Sequence, residues 1–321
     1  MSIQDDAQPV LGPAARSAVF LTVTVRTGQD EAVRDALTDV SGIVRAVGFR
    51  SLGAELSCVV GIGSTLWDRL YAGLAVERPS QLHPFKEVVG PTHAARATSG
   101  DVFFHIRSQR QDVCFELTHR LMQHFQGLVD IVDEVDGFRY WDSRDLLGFV
   151  DGTENPSTPS DLLEAALVAE GPWISSSYVI VQKYLHDLSG WDALTTEQQE
   201  AAVGRHKLTD IELPDEAKAS NAHTVLTVIE DADGVQHSIV RDNLPFGSVS
   251  GGEYGTYFIG YAADPSVTEL MLERMFVGVP EGNHDRLLDF SEAVTGCLFF
   301  VPPAAFLDDP DTWAKALTPG S

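Results

Sequence analysis

The chain has 321 residues and a formal net charge of −25, so its field repels phosphate backbones and anionic lipid surfaces, and neither a nucleic-acid nor a membrane partner is expected. With 44% hydrophobic and 21% charged residues it has the composition of a folded protein rather than a disordered one. No run approaches the ~18 consecutive apolar residues of a membrane span, and MSIQDDAQPVLGPAARSAV lacks the basic and apolar regions of a secretory leader. Three cysteines, Cys58, Cys114 and Cys297, are odd in number, widely separated and set in apolar contexts, as reduced core residues of a cytoplasmic protein would be.

In chain order, Val19, Leu21, Val23 and Val25 alternate with Phe20, Thr22 and Thr24, the period-two pattern of a strand. A helix is expected over about Asp30 to Val40, then strands at Leu56 to Ile62 and Val102 to Arg107. Cys114, Leu117, Leu121, Phe125 and Leu128 recur at three- and four-residue steps and so share one helix face. A strand from Ile131 to Tyr140 closes this unit. The second half repeats the order: strand Ser177 to Leu188, helix Thr195 to Arg205, strands His237 to Asn243 and Thr256 to Ala263. There follow a helix with Ser266 and Glu269 as a capping box and a last strand, Gly296 to Pro302. Each half therefore reads β-α-β-β-α-β, an α+β fold of duplicated ferredoxin-like units with antiparallel sheets. The expected divisions are 1–140, a Pro-, Ser- and Asp-rich connector at 141–173, and 174–321.

Several familiar motifs are incomplete. GIGSTL lacks the third glycine of a dinucleotide loop, GSVSGGEYG lacks the Lys-Ser/Thr of a P-loop, and no HExxH is present. His119 and His124 are five apart, which suits no metal pair on a helix; they read as one solvated and one half-buried histidine. DGTENP has acids or amides at two EF-hand positions, but Pro156 stands where the turn glycine is required, which argues against calcium.

Two stretches carry more. GFVDGTENP, 148–156, brings acids out directly behind Phe149 and Val150. HTVLTVIE, opened by His223, meets a turn at Asp233-Gly234 and returns as VQHSIVRDNLPFG, so the whole reads as a hairpin. On its return strand Arg241 and Asn243 are two apart and point to one face. An arginine in a mostly apolar strand must satisfy five donors and needs a carboxylate or an anionic ligand, for which Asp151 is a candidate.

Together these residues resemble the dye-decolorizing peroxidases. GFVDG matches the GxxDG motif of that family, and TENP, AHTVLT, IVRDNLPFG, YFIGYA and GNHDRLLDFSEAVTG resemble its B-type bacterial branch, in the same order and over nearly the whole chain. The resemblance implies one haem b per subunit, held mainly by the C-terminal half. It makes His223 the axial ligand of the iron and Asp285 the carboxylate on the other ring nitrogen. Asp151, Arg241 and Asn243 would form the distal pocket. Gly152, Thr153, Phe258 and Arg205 (in VGRHKL) would contact the cofactor, Arg205 near its propionates.

The implied reaction takes hydrogen peroxide and a small reducing substrate such as a dye, a phenol or Mn(II); a haem-handling protein on the same fold is the alternative. Homo-oligomers are implied as well. Some relatives enter encapsulin shells through a long C-terminal extension, and the end at TWAKALTPGS argues against that partnership. A bulky donor requires a path for electrons, and Tyr140, Trp141, Trp173 and Trp191 are candidate relays.

Overall fold

A computed structural model describes residues 6–317 apart from Ala232. Residues 1–5 and 318–321, on which the reading of the two chain ends rests in part, lie outside the described residues.

In the first half, β1 (Ser17–Val25) is followed by two helices, α1 (Asp30–Thr38) and α2 (Val40–Phe49), where one was expected. Next come β2 (Ser57–Gly63), α3 (Ser64–Tyr71), a small hairpin of β3 (Val88–Val89) and β4 (Ala94–Ala95), β5 (Val102–Ser108), α4 (Gln111–His124) and β6 (Val129–Phe138). The failed dinucleotide motif GIGSTL is thus the end of a strand running straight into a helix. Helix α4 buries Val113, Cys114, Leu117, Thr118 and Leu121, the face its periodicity marks. His119 is exposed and His124 is half-buried.

After β6 come α5 (Pro159–Ala166), whose first turn is capped by Thr158, and β7 (Ser177–His186). After them come α6 (Leu188–Asp192), α7 (Thr196–Val203) and the single turn α8 (His223–Thr227). The short strands β8 (Ile229–Glu230), β9 (Gln236–His237), β10 (Val240–Arg241) and β11 (Leu244–Ser248) lead to β12 (Glu253–Ala262). Helix α9 (Pro265–Phe276), β13 (Ser291–Ala293), β14 (Cys297–Val301), α10 (Ala304–Asp308) and α11 (Pro310–Leu317) complete the chain. The capping box at Ser266 is not formed; Asp264 caps α9, accepting from Ser266 N, because Pro265 takes the first helical position, where its missing N–H is no loss.

All the long strands join one ten-stranded sheet in the order β10-β12-β7-β14-β2-β5-β1-β6, with β11 beside β12 and β13 beside β7. Both halves show the ferredoxin-like order of fourth, first, third and second strand, read as β6-β1-β5-β2 and β14-β7-β12-β10. They meet where β14 pairs antiparallel with β2 through Phe299–Gly63 and Phe300–Ile62. Each sheet face is covered. Val19, Leu21 and Val23 of β1 pack into one apolar core, while Ala18 and Phe20 pack into another on the opposite face. That explains why the expected alternation of apolar and polar residues is weak in the central strands. No described helix is long and apolar enough to cross a membrane. The three cysteines are free and buried.

Candidate active site

Residues 143–151 fold into a tight hairpin. Asp145 N donates to Phe149 O at 2.8 Å, Phe149 N donates to Asp145 Oδ1 at 3.0 Å, and Asp151 N donates to Ser143 O at 3.0 Å. Phe149 is buried in a small cluster with Leu147, Trp191, Ala202 and Val203. Val150, expected beside it in the core, is half-buried and faces a cleft instead. Gly152 turns the chain with φ of 78°, in the region L side chains avoid, and Asn155 then reaches across to β10. Its side-chain amide accepts from Arg241 N at 2.9 Å and donates to Arg241 O at 2.7 Å, so it pairs with that residue as a neighbouring strand would.

Arg241 and Asn243 point toward Asp151, as their spacing predicts, but the pairing differs from expectation. Asn243, not Arg241, bonds the acid: its Nδ2 donates to Asp151 Oδ1 at 3.1 Å while its Oδ1 accepts from Ile259 N at 2.9 Å. Asn243 is therefore locked by β12 and presents one donor to the carboxylate. Among the described residues no hydrogen bond or ion pair joins Arg241 to Asp151, and the buried Nε of Arg241 has no partner at all. Burial pushes the Arg241 guanidinium below its ordinary range, against the pull of Asp151 and Glu154. A buried donor of this kind without a partner marks a place where a polar ligand atom is missing.

His223 was expected at a strand end. It opens the one-turn helix α8 instead, and the hairpin that follows is reduced to two residue pairs, Ile229–His237 and Glu230–Gln236. Thr227 Oγ donates to His223 O at 2.8 Å, drawing the β-branched run into a turn. His223 Nδ1 lies 2.6 Å from Oδ2 of Asp285, a carboxylate with no solvent exposure, and Asp285 Oδ1 accepts from Leu287 N at 2.9 Å. With Nδ1 held in this way, Nε2 is the ring nitrogen left for a ligand. Behind the helix, Gly204 ends α7 in the left-handed region with φ of 94°, and a Cβ there would stand 2.0 Å from Thr224 Oγ1. The turn carrying His223 thus rests directly on that glycine.

One cleft is lined by all nine residues singled out from the sequence except Asp285, which stands behind His223: Asp151, Gly152, Thr153, Arg205, His223, Arg241, Asn243 and Phe258. A second, smaller cavity shares Asp151, Gly152, Arg241 and Asn243 and adds Tyr140. Arg205 is already engaged, by Glu154 at 2.7 Å, by Asp210 at 3.2 Å and by Glu212 at 3.8 Å. Three carboxylates thus already surround its guanidinium.

Two groups in the cleft were not anticipated. The Asp145 carboxyl is pushed up to about 7 by burial and, secondarily, by the charge of Asp151. His186 bonds Ser291 Oγ at 2.8 Å and Thr256 Oγ1 at 3.0 Å, and burial lowers it to about 4. Asp145 could have been suspected from its place six residues before Asp151; His186, in the strand pattern of β7, carries no signal in the sequence. Met271, Leu272 and Met275 of α9 supply much of the apolar wall, along with Val203 and Ile239.

These residues fit a haem. The walls are apolar, one imidazole offers a single nitrogen whose partner nitrogen is fixed, and the buried Nε of Arg241 is a donor without a protein partner. Of the candidate relays, Trp141 is exposed and stacks on Tyr140 with ring centroids 5.4 Å apart. Trp173 and Trp191 are buried packing residues, Trp191 donating to Leu147 O at 2.9 Å.

Family models for the N-terminal and C-terminal parts of the Dyp-type peroxidases match residues 7–139 and 142–306. A dye-decolorizing peroxidase of Brevibacterium linens is 56% identical over 314 residues, 97% of this chain and 84% of that protein. An arginine-to-leucine variant of Rhodococcus jostii RHA1 DypB, solved in complex with heme, superposes with a TM-score of 0.91 at 51% identity, covering 94% of this chain and 98% of that one. The encapsulated DyP-type peroxidase of Mycobacterium smegmatis, solved by cryo-EM, gives a TM-score of 0.92 at 52% identity over 95% and 98% of the two chains. With both family models matched in sequence and solved members superposing over nearly its full length, the chain belongs to the Dyp-type peroxidases.

Proposed function

We propose that His223 binds the haem iron through Nε2, and that Asp151, Arg241 and Asn243 act on hydrogen peroxide in the reaction of this haem peroxidase. The observation that carries the reading is the contact of 2.6 Å between His223 Nδ1 and the fully buried carboxylate of Asp285. A carboxylate placed there fixes the ring and would give the imidazole anionic character, making it an electron-rich ligand for the iron of a bound haem. Haem, when bound, supplies the iron that takes up peroxide and the oxidising equivalents that a dye, a phenol or Mn(II) then reduces.

On the distal side, Asp151 is held at Oδ1 by Asn243, and Oδ2 has no hydrogen bond among the described residues. That oxygen would accept a proton from the bound end of peroxide and return it to the departing oxygen as water forms. Arg241, a cation in a largely dry cleft, would stabilise the negative charge that develops on the departing oxygen. Asn243 is a positioning residue: its own carbonyl is fixed by Ile259 N, so it sets the direction of the Asp151 carboxylate. Gly152 and Thr153 on the distal loop, Phe258 on β12 and Arg205 would contact the cofactor itself. The pair of half-buried Tyr140 and exposed Trp141 is the relay favoured for bulky donors, because Tyr140 lines the smaller cavity beside the distal residues.

A haem-handling role is not favoured, since the relatives at 51–56% identity are peroxidases. A cytoplasmic location is supported by three buried cysteines that form no disulfide, and assembly into homo-oligomers by the family resemblance. We take the halves to divide near residue 140, with 141–173 as connector. Shell loading is measured by co-purification with an encapsulin, given that a relative at 52% identity is encapsulated. For the site, the test is the absorption spectrum. The purified protein should show a Soret band and peroxide-dependent dye oxidation, and His223→Ala should lose both. A variant that kept an unchanged Soret band would refute the ligand assignment.

A further inference from the structure

Away from the haem cleft, three metal-ligating side chains converge at the surface. His93 stands in the turn between β3 and β4, which Gly90 N closes by donating to His93 O at 2.9 Å. His284 immediately precedes Asp285, and Asp289 ends the short helical turn Arg286–Asp289. Nε2 of His93 lies 3.0 Å, and Nε2 of His284 2.9 Å, from the same oxygen, Oδ1 of Asp289. The ligand atoms all fall within 4.8 Å of one another, and the two rings meet nearly edge to face with centroids 4.7 Å apart.

We propose that His93, His284 and Asp289 form a binding site for one late first-row divalent ion, of the class of Cu(II), Ni(II) or Zn(II). Three features support it. First, ligand atoms about 2.0–2.2 Å from a common ion, at angles of 90–109°, stand about 2.9–3.4 Å apart, which is the spacing of both nitrogens from the oxygen here. Second, Arg286 bonds Asp289 Oδ2, which holds the carboxylate in place and leaves Oδ1 as a single donor. With that arginine offsetting the aspartate charge, the site suits an ion that prefers imidazole over one that needs several carboxylates, such as Mg²⁺ or Ca²⁺. Third, the site opens on a cleft of about 630 Å³ that also includes Asp187, Glu292 and Arg96, so water or a small anion can complete the coordination.

Both histidines at present share one acceptor through Nε2–H. Binding would release those interactions and seat the ion between the two nitrogens and Oδ1 of Asp289. The ion would join a hairpin of the first half to the loop that leads into Asp285, residues 196 apart in sequence for His93 and Asp289. The inference does not depend on the peroxidase assignment.

The test uses the untagged, haem-loaded protein freed of metal by chelation and titrated with CuCl₂. Isothermal calorimetry should give one tight equivalent, and the Cu(II) electron paramagnetic resonance near g = 2, separate from high-spin haem iron, should show coupling to two nitrogens. His93→Ala lies on its own hairpin and leaves the Asp285 loop intact. It should weaken binding by at least about 100-fold, since losing only an outer partner of a metal ligand costs 10–100-fold, and should leave the Soret band unchanged. His93→Ala with parental affinity, a spectrum without nitrogen coupling, or the absence of a stoichiometric site in the parent would each overturn the proposal.

Discussion

Replacing Asp285 by asparagine keeps the shape of the side chain and removes its charge. In the parent, Oδ2 sits 2.6 Å from His223 Nδ1 with no solvent to screen it, and Oδ1 accepts from Leu287 N at 2.9 Å. Asparagine can preserve one of these contacts as a neutral hydrogen bond. A hydrogen bond to a charged group contributes about 1.5–3 kcal/mol and a neutral one about 1 kcal/mol, so the contact weakens by about 0.5–2 kcal/mol. The loss falls mainly on the oxidised iron, which is stabilised most by an electron-rich imidazole. At 59 mV per factor of ten for one electron, this difference would raise the Fe(III)/Fe(II) potential by about 20–90 mV. Spectroelectrochemical titration of parent and Asp285→Asn, monitored at the Soret band, measures it. A potential unchanged within about 10 mV, in a variant that retains haem, would show that the carboxylate does not tune the ligand and that its burial serves packing alone.

Arg241→Leu should slow the first spectral change on mixing with peroxide by about 10²–10³-fold, at least as much as Asp151→Ala; stopped-flow traces in which the arginine variant reacts at the parental rate would refute that ranking. Asp145, raised to about 7 in the folded chain from an ordinary 3.8, should itself disfavour the folded state least below pH 4. Stability is lost as pH rises through that window, because the unfolded carboxyl ionises first, and stays reduced above pH 7. The full shift corresponds to at most about 4 kcal/mol, and partial exposure lowers it. Urea denaturation should therefore show Asp145→Asn gaining about 1–3 kcal/mol on the parent at pH 8 and almost nothing at pH 4; an equal gain at both would contradict the assignment. Gly204→Ala should reduce the ratio of Soret to 280 nm absorbance by pushing Thr224 and the turn bearing His223. Gly252→Ala, at φ of 66° with open space around it, is a backbone-matched control and should retain full haem.

The fold was legible because its signals are local. Period-two runs at 19–25 and 102–107, the α4 face and the order of elements suffice for two ferredoxin-like halves. Errors fell where tertiary contacts outweigh propensity. The run Thr224-Val225-Leu226-Thr227 has strand-forming residues, yet its position against Gly204 and the bond from Thr227 to His223 O make it a helical turn. Helix α3 has no separate signal in Gly61 to Leu66, where β2 runs directly into it without a loop. The site residues came from motif resemblance, and the geometry altered their relations: Asn243 rather than Arg241 holds Asp151. His93 and His284 could not have been associated from sequence, since their proximity exists only after the sheet has assembled.

Asn155 has one more consequence. Strand β10 is the outermost strand on its side of the ten-stranded sheet, with β12 as its neighbour, and an unpaired strand edge is where a foreign chain would add. The outward N–H and C=O of Arg241 are both taken by the Asn155 amide. A single side chain thus caps β10 on this flank, and it comes from the loop that carries Asp151. Selection for a looser distal loop, such as one admitting a larger donor, would also uncover a strand edge, so substrate range and resistance to self-association are tied to the same amide.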